Sequence, residues 1–412
     1  PTFRRLPRPE TGHRKYSMLC QTFVPKAPPE KEPDHPMKNY SIMLKPASSL
    51  CDLRCKYCFY ADVSNLRCVR SFGVMRDETA LELIRNIERS LAPGDQVTLA
   101  FQGGEPTLAG LGLLHTIVEA AGRWDRGIRV HYALQTNAMH LDEEWCRFLK
   151  EHDFLVGVSH DLLPEQHNAV RVDAAGAPTM KRVEHSIALL RKHDVAFNVL
   201  CTLTNQIARH PQQVWKRILQ LDLQYVQFTP CLDELDHPGE SVYAITPKRF
   251  ASFYNTLFRL WLAEYQAGRY RSVKLFDDVI SALAFGIPGT CGMGGRCQPQ
   301  LVVEADGTVY PCDFYCLDPY ALGDLTKQTI PELFSSPALT AFLDRPRAPR
   351  PAHCAECAFA GFCGGGCERM QREVCCSGNG TFCGYEDFLT QNIAELQRIA
   401  QAERQMRQGL PR

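Results

Sequence analysis

The 412-residue sequence has no net charge, because 46 acidic residues balance its 46 basic ones. A balanced chain lacks the broad positive surface that binds nucleic acid or an anionic membrane, so neither is expected as a partner. The sequence also lacks an apolar run long enough to span a bilayer, and it lacks the hydrophobic N-terminal segment of a signal peptide. These absences predict a cytoplasmic protein with no nucleic-acid or membrane partner.

Cysteine, by contrast, is abundant, with 19 in the chain. Because the thiols are clustered and no targeting segment precedes them, metal ligation is a better interpretation than disulfide bonding. Cys51, Cys55 and Cys58 lie within eight residues, and an aromatic residue follows the last of them. Three thiolates this close favour a four-iron cluster with one iron left open for a substrate or cosubstrate. A zinc or redox-disulfide site is the alternative, although zinc prefers four closed ligands.

Beyond this loop, apolar segments of strand length alternate with segments of helical spacing. Strands are predicted at 40–44, 97–101, 130–134, 154–159, 196–203 and 224–228. Helices are predicted at 77–90, 111–123, 143–152, 180–193, 211–221 and 247–266. This alternation predicts an α/β fold in which a parallel sheet curls into a partial (β/α)6 TIM-like barrel.

Composition divides the chain into five predicted segments. Residues 1–36 are rich in proline and basic residues, show no apolar periodicity, and are expected to form a loosely ordered extension. The barrel is assigned to residues 37–245 and a helical linker to 246–288. A cysteine-rich domain is assigned to 289–386, and a C-terminal helix to 387–412.

Polar motifs follow the first four predicted strands, where a barrel of this type places its chemistry. The three-cysteine loop follows the first strand, and Gln102-Gly103-Gly104-Glu105-Pro106 follows the second. Gln135-Thr136-Asn137 follows the third, and Ser159-His160-Asp161 follows the fourth. The paired glycines allow the backbone to approach a ligand closely, although a plain turn is the alternative for that motif alone. The common placement predicts one site at this edge of the sheet.

A second block of cysteines occupies the C-terminal third of the chain. Eight thiols can complete two further four-iron clusters in which every iron is ligated, and a pair of zinc sites is the alternative. The eight are Cys291, Cys297, Cys312, Cys354, Cys357, Cys363, Cys367 and Cys383.

The three-cysteine spacing and its following aromatic resemble the radical S-adenosylmethionine (SAM) enzymes. The last seven cysteines of the second block resemble the signature of the SPASM domain, the C-terminal module of radical SAM enzymes that modify peptides and proteins. With residues 44–49, 58–60, 100–110, 134–137, 303–315 and 363–367, the chain is similar to the anaerobic sulfatase-maturating enzymes. That resemblance implies oxidation of a cysteine or serine in a sulfatase to Cα-formylglycine without oxygen. A 5′-deoxyadenosyl radical from SAM would remove a hydrogen from Cβ, and auxiliary clusters would accept an electron.

The resemblance also implies roles for individual residues. Three 4Fe-4S clusters would be held by Cys51, Cys55 and Cys58, by Cys291, Cys297, Cys312 and Cys367 (auxiliary cluster I), and by Cys354, Cys357, Cys363 and Cys383 (auxiliary cluster II). The residues implied for SAM are Tyr57, Gly103, Gly104, Glu105, Ser159, Asp161 and Arg171. Asp313 matches the base that takes the substrate proton, and Tyr60 and Gln102 match positions that orient the target residue.

Several alternatives accompany these roles. Asp313 could instead orient the cluster loop, with Asp277 and Asp278 as the next candidate bases, and Arg171 could be a solvated surface residue. The family usually reads Met-Asp-Gly-Pro where this chain has His160-Asp161-Leu162-Leu163-Pro164, so a glycine turn beside the SAM ribose is expected to change.

The implied partners are an unfolded or nascent sulfatase with a Cys/Ser-x-Pro/Ala-x-Arg motif and a small electron donor such as flavodoxin or ferredoxin. Two other functions fit the cysteine pattern. One is a SPASM enzyme that crosslinks or epimerises a ribosomal peptide. The other is a multi-cluster electron carrier or sensor, which would not cleave SAM.

Overall fold

The computed structural model describes residues 37–408 apart from 287–288, 347–349, 377–379 and 381. The extension predicted for residues 1–36 therefore lies outside the described residues, as does the end of the predicted C-terminal helix. Among the described helices, none is both long enough and apolar enough to cross a membrane.

The strands of the described residues form one sheet in the order β10-β9-β8-β1-β2-β3-β4-β5-β6-β7. Strands β1 to β7 run parallel to one another and β8 is parallel to β1, whereas β9 and β10 are antiparallel to their neighbours. The strands are β1 (Asn39–Leu44), β2 (Gln96–Phe101), β3 (Arg129–Thr136), β4 (Leu155–Ser159), β5 (Ala196–Leu203), β6 (Tyr225–Pro230), β7 (Ser272–Val273), β8 (Leu301–Val303), β9 (Thr308–Tyr310) and β10 (Gly323–Asp324). The six predicted strands correspond to β1–β6, and the predicted α/β class is confirmed.

Helices connect the parallel strands, as the alternating pattern predicts. Their apolar residues face the sheet: Leu83, Ile84 and Ile87 of the first long helix are all buried. The α-helices are Phe59–Asn65, Asp77–Arg89, Gly110–Gly122, Glu143–Glu151, Pro164–Val170, Met180–Lys192, Pro211–Gln220, Pro247–Gln266, Lys274–Phe285, Ile330–Phe334, Pro337–Asp344, Ala360–Cys363 and Gly384–Gln408.

An aromatic cluster joins three of the helices that follow β6, namely Pro247–Gln266, Lys274–Phe285 and Gly384–Gln408. Phe258 and Phe276 meet edge to face with ring centroids 5.1 Å apart, and Phe276 stacks on Phe388 at 5.9 Å. All three side chains are buried. Such pairs stabilise beyond the area they bury. The helix predicted over 247–266 is therefore packed core, with the C-terminal helix against it.

The second cysteine block begins on the same sheet as the first. Strand β8 pairs with β1 in the register Ile42↔Leu301 to Leu44↔Val303, and the Lys45 N–H donates to the Val303 carbonyl at 2.8 Å. Asp313 follows β9 by three residues. Strand β9 runs back antiparallel to β8, and the Asp313 side chain contacts Lys45, the residue that follows β1 and precedes the three-cysteine loop.

The turn after β4 is tight although it lacks the family's glycine. Leu162 has a φ of +64°, the left-handed region that favours glycine. Its N–H donates to Nδ1 of His160 at 3.0 Å, and the Asp161 N–H donates to Nδ1 of His167 at 3.1 Å. The Leu162 side chain is fully buried, and its packing offsets a backbone strain of about 1 kcal/mol. The chain therefore makes a tight turn here without a glycine, and two histidine side chains hold the backbone of Asp161 and Leu162.

Candidate active site

The three-cysteine loop is tied to the segment after the fourth strand. The Arg54 N–H donates to the Val172 carbonyl at 2.7 Å, and the Lys56 N–H donates to the Val170 carbonyl at 3.0 Å. These two backbone hydrogen bonds fix the loop across the carboxyl ends of β1 and β4.

Each of the three loop sulfurs has a donor beside it. The Leu53 N–H lies 3.4 Å from Sγ of Cys51, and the Arg171 guanidinium lies 3.8 Å from Sγ of Cys55. Sγ of Cys58 caps the helix Phe59–Asn65 by accepting from an N–H at 3.4 Å. Cys58 is exposed, whereas the other two are half-buried. Donors favour the thiolate form, so the donor set fits an anionic iron–sulfur cluster with one open side.

The two glycines of the second strand-end motif allow a close backbone approach. The Gly104 N–H donates to the Ser48 carbonyl at 2.8 Å, and the Glu105 N–H donates to the Leu50 carbonyl at 2.7 Å. A Cβ at Gly104 would lie 2.0 Å from the Leu50 oxygen, and Gly103 has a φ of +129°. The glycines therefore allow the backbone after β2 to pack directly against the backbone immediately before Cys51. The sequence did not predict this role.

Glu105 is fully buried and its carboxylate is used inside the protein. Oε1 accepts from the Thr107 hydroxyl at 2.6 Å and the Thr136 hydroxyl at 2.7 Å, and Oε2 accepts from the Asn137 N–H at 2.7 Å. Burial raises the pKa of Glu105, and these donors oppose that rise. The carboxylate thus fastens the loop after β2 to the end of β3. Its implied contact with SAM remains a prediction.

Asp161 and Arg171 form a buried ion pair beneath the cysteine loop. Nε of Arg171 lies 3.0 Å from Oδ2 of Asp161, and that carboxylate also accepts from the Tyr57 hydroxyl and, at 3.1 Å, from the Thr202 N–H. Arg171 is only 8% exposed, so the alternative of a solvated surface arginine is wrong. Asp161 is fully buried, and its implied contact with SAM remains a prediction. Ser159, also implied for SAM, accepts from Nε2 of Gln135 at 3.1 Å.

Replacing Arg171 by Met should destabilise the protein, because it leaves the Asp161 charge buried without its partner. We expect the free energy of unfolding to fall by about 3 kcal/mol, measured as a drop in Tm of the anaerobically reconstituted protein. The exposed pair Arg85–Glu82 supplies the control, since Arg85→Met should cost less than about 0.5 kcal/mol. Equal stability of the two variants would contradict the structural role given to Arg171.

Asp313 lies where the carboxyl ends of the first two strands meet. Its Oδ1 is 2.5 Å from Nζ of Lys45, and its Oδ2 accepts from Nε2 of Gln102 at 3.1 Å. The side chain of Asp313 is 13% exposed, whereas that of Lys45 has no exposed surface. The structure therefore brings together the predicted base and one of the two residues predicted to orient the substrate.

The two other candidate bases have partners in a different region. Asp277 accepts from the Tyr270 hydroxyl at 2.7 Å and from Ser272, and Asp278 pairs with Lys274 within one helix. Burial raises the pKa of Asp277 to about 7. No hydrogen bond or ion pair among the described residues joins either carboxylate to Gln102 or to the three-cysteine loop. The geometry favours Asp313 over both.

Three charged residues at this site were missed by sequence reasoning. Lys45 is fully buried, and its Nζ lies 3.4 Å from the ring centroid of Tyr60. The Tyr60 hydroxyl hydrogen-bonds Glu304, which also pairs with Nη1 of Arg67 at 2.6 Å. Burial lowers the pKa of Lys45, but its charged neighbours, Asp313 foremost and Glu304 among them, together outweigh burial, so the pKa lies above its ordinary value and Lys45 is cationic. The sequence signal that could have identified Lys45 is its position directly after an apolar strand.

The cysteines of the second block fall into two neighbouring groups. One cavity is lined by Cys354, Cys357, Cys363 and Cys383, together with the unassigned Cys375. In the other group, burial raises the pKa of Cys312, and the neighbouring Cys367 and Cys297 add to that rise. Cys291 and Cys297 likewise add to the rise that burial causes in the pKa of Cys367. The two groups contain the two sets that the family resemblance implies, with Cys375 beside the second set, and the assignment of these cysteines to clusters remains a prediction.

The described thiol groups do not converge on a single ion-sized point. Among the described residues, no three His, Cys, Asp or Glu side chains are placed to surround one metal ion. A four-iron cubane is wider than an ion, so its thiolates lie around a body and need not converge on a point.

Comparisons with known proteins agree with this site. The family model of the radical SAM superfamily matches residues 46–209, and that of the SPASM iron–sulfur cluster-binding domain matches residues 291–358. The cysteine-type anaerobic sulfatase-maturating enzyme of Clostridium novyi is 37% identical over 88% of this chain and 98% of its own length. The serine-type enzyme of Bacteroides thetaiotaomicron is 29% identical over 80% of this chain and 82% of its own. A solved structure described as native anSMEcpe with bound AdoMet and Kp18Cys peptide has a TM-score of 0.80 and 35% identity, and covers 88% of this chain and 99% of that one.

The parallel sheet with a cysteine loop after its first strand, joined to a second cysteine block, defines a radical SAM enzyme with a SPASM domain. It binds iron–sulfur clusters and uses S-adenosylmethionine. The chain belongs to the anaerobic sulfatase-maturating enzyme family. Membership in an enzyme family excludes the hypothesis of an electron carrier or sensor.

Proposed function

We propose that this enzyme oxidises a cysteine or serine side chain of a sulfatase polypeptide to Cα-formylglycine without oxygen. Its similarity to the C. novyi enzyme along nearly all of that protein supports this activity. The observation that carries the proposal is the position of Asp313. Its Oδ2 hydrogen-bonds Gln102 at the carboxyl end of β2, on the edge of the sheet that also holds the three-cysteine loop. That position supports a role for Asp313 as a proton acceptor beside the expected site of hydrogen removal.

The cofactor requirement would be three 4Fe-4S clusters and SAM. Cys51, Cys55 and Cys58 would hold the cluster that binds SAM, and the two groups of the second block would hold the auxiliary clusters. When bound, these groups supply the agent that removes a hydrogen atom from the substrate Cβ and the acceptor for the second electron.

A residue of the chain itself would accept the proton that the substrate loses. Asp313 would take the proton from the substrate S–H or O–H once a hydrogen atom has left Cβ, because that loss makes the neighbouring proton much more acidic. Loss of one hydrogen atom, one proton and one electron converts the cysteine CH2–SH to a thioaldehyde. Water then replaces sulfur, giving the aldehyde and hydrogen sulfide. A serine substrate gives the aldehyde directly.

Gln102 and Tyr60 have different surroundings, which separates the roles we propose for them. Gln102 is half-buried and adjoins Asp313, so its amide can orient the target residue beside the base. Tyr60 is buried, and its hydroxyl is held by Glu304. We therefore propose that Tyr60 supports Asp313 indirectly, through the contact of its ring with Lys45. The family resemblance implied instead that Tyr60 orients the target residue.

The proposed partners are those implied for the family. The substrate would be an unfolded or nascent sulfatase that carries a Cys/Ser-x-Pro/Ala-x-Arg motif, and the electron donor would be a flavodoxin or ferredoxin. With these partners, the proposed location is the cytoplasm.

The direct test is turnover of a peptide by the anaerobically reconstituted enzyme. With SAM, dithionite and a peptide bearing Cys-x-Pro-x-Arg, we expect 5′-deoxyadenosine and a peptide aldehyde, both detected by mass spectrometry. The same peptide with alanine at the target position is the control and should give no aldehyde. A thioether crosslink or an epimer without the aldehyde would instead support the hypothesis of a ribosomal-peptide-modifying enzyme.

A further inference from the structure

Asp313 belongs to a cluster of four charged side chains that has no net charge. Lys45 pairs with Asp313, Arg67 pairs with Glu304, and the Tyr60 ring lies between the two pairs. The side chains of Lys45, Arg67 and Glu304 have no exposed surface. Taking a charge out of water costs several kcal/mol and pairing repays that cost only in part, so an arrangement of this kind is weak evidence of a purely stabilising role.

The backbone of Lys45 is held as firmly as its ammonium group. Its N–H donates to the Val303 carbonyl at 2.8 Å, which locks the residue between the first strand and the strand of the second cysteine block. Its Nζ is fixed on one side by the Tyr60 ring and on the other by Oδ1 of Asp313. A cation over an aromatic ring at this distance is attracted to the ring face. The lysine therefore has one orientation available.

The position of Lys45 sets the orientation of the Asp313 carboxylate. Because Oδ1 of Asp313 is held by Lys45, Oδ2 points to Gln102. Oδ2 is then the oxygen on the side of the residue that would orient the substrate. Without the lysine, a carboxylate on a loop after β9 could rotate about its side-chain torsions and lose that direction.

We propose that Lys45 is a positioning residue that holds Asp313 with Oδ2 directed at the substrate proton. The proposal rests on the function proposed above, since it assigns Asp313 as the base. Lys45 itself would touch neither the substrate nor SAM, and it would act only through Asp313. Arg67 and Glu304 would serve the same end by fixing the Tyr60 ring beneath the ammonium group.

The test is a double-mutant cycle on Lys45 and Asp313. Met is unbranched and close to Lys in length, so Lys45→Met removes the charge while filling the space. We expect the aldehyde formed per 5′-deoxyadenosine to fall by about 10- to 100-fold in Lys45→Met, as a misdirected catalytic group commonly causes. The double variant with Asp313→Asn should be no worse than Asp313→Asn alone, because residues that act as one unit are not additive.

A peptide deuterated at the cysteine Cβ separates failure of this proposal from failure of the proposed function. Transfer of deuterium into 5′-deoxyadenosine reports hydrogen removal independently of the base. Lys45→Met should still transfer deuterium. If the wild-type enzyme transfers none and forms no aldehyde, the proposed function is wrong. If Lys45→Met leaves the aldehyde ratio unchanged, or if the double variant loses the product of the two single effects, Lys45 does not act through Asp313.

Two further variants keep the test decisive. Arg271→Met is the matched control, because Arg271 is a largely buried cation paired with Asp222 just before β7, at the opposite edge of the sheet. It should leave the aldehyde ratio at the wild-type value.

If Lys45→Met loses bound iron, Lys45→Gln, which retains a donor for Asp313, should keep its iron and lose less aldehyde than Asp313→Asn. Loss of iron in both Lys45 variants would make Lys45 a structural residue and overturn the proposal.

Discussion

Asp313→Asn is expected to lower the aldehyde yield by about 100-fold or more while SAM cleavage continues, because general-base catalysis contributes on that scale. Asn keeps the shape of the side chain and can still accept from Lys45, but it cannot take a proton from the substrate. The measurement is the ratio of peptide aldehyde to 5′-deoxyadenosine in anaerobic reactions, with bound iron counted for each protein.

The control for this variant lies on the same hairpin. Asp306 is exposed in the turn between β8 and β9, and Asp306→Asn should leave the ratio unchanged. An unchanged aldehyde yield in Asp313→Asn would show that another group takes the proton. Loss of both aldehyde and SAM cleavage would show that Asp313 orients the cluster loop, which was the alternative role for this residue.

Gly104→Ala is expected to disable the first cluster site. A methyl group at this position would lie 2.0 Å from the Leu50 oxygen, so the chain immediately before Cys51 has to move. Displacing reacting groups by about 1 Å commonly costs about 100-fold in rate. We therefore expect 5′-deoxyadenosine formation to fall by about that factor, with less iron bound, and both are measured on the anaerobically reconstituted protein.

The chain offers a glycine for which the same change is harmless. Gly112 lies in the helix Gly110–Gly122, and a Cβ there would meet nothing within 4 Å. Gly112→Ala should retain full SAM cleavage and raise the free energy of unfolding by about 0.4–1 kcal/mol. Wild-type iron content and SAM cleavage in Gly104→Ala would contradict the close approach on which the placement of the cysteine loop depends.

Regular periodicity explains why the barrel elements could be predicted from the sequence. The bounds of β1–β6 differ from the predicted strands by no more than two residues at either end, and the helix Pro247–Gln266 matches its prediction fully. Short helices were missed. The helix Phe59–Asn65 starts directly on a cysteine cap, and seven residues are too few to show a helical period.

The site could be located from the sequence but not resolved into contacts. Polar residues after successive parallel strands have to meet at one edge, which is why the cysteine loop, Gln102 and Asp161 were found. Which of them remain available to a ligand depends on distances that only the fold sets. Glu105 and Asp161 turned out to be occupied by protein donors. Lys45 was missed because its partner lies 268 positions away and meets it only when β8 pairs with β1.

The central claim is that Cys51, Cys55 and Cys58 hold a four-iron cluster with one iron open to SAM. Electron–nuclear double resonance on the reduced enzyme, with SAM labelled with nitrogen-15 at its amino group, measures that contact directly. The account predicts a nitrogen coupling to a cluster in the wild-type enzyme, and loss of that coupling in Cys58→Ala. A reduced cluster that shows no coupling to labelled SAM, or zinc in place of iron in this loop, would contradict it.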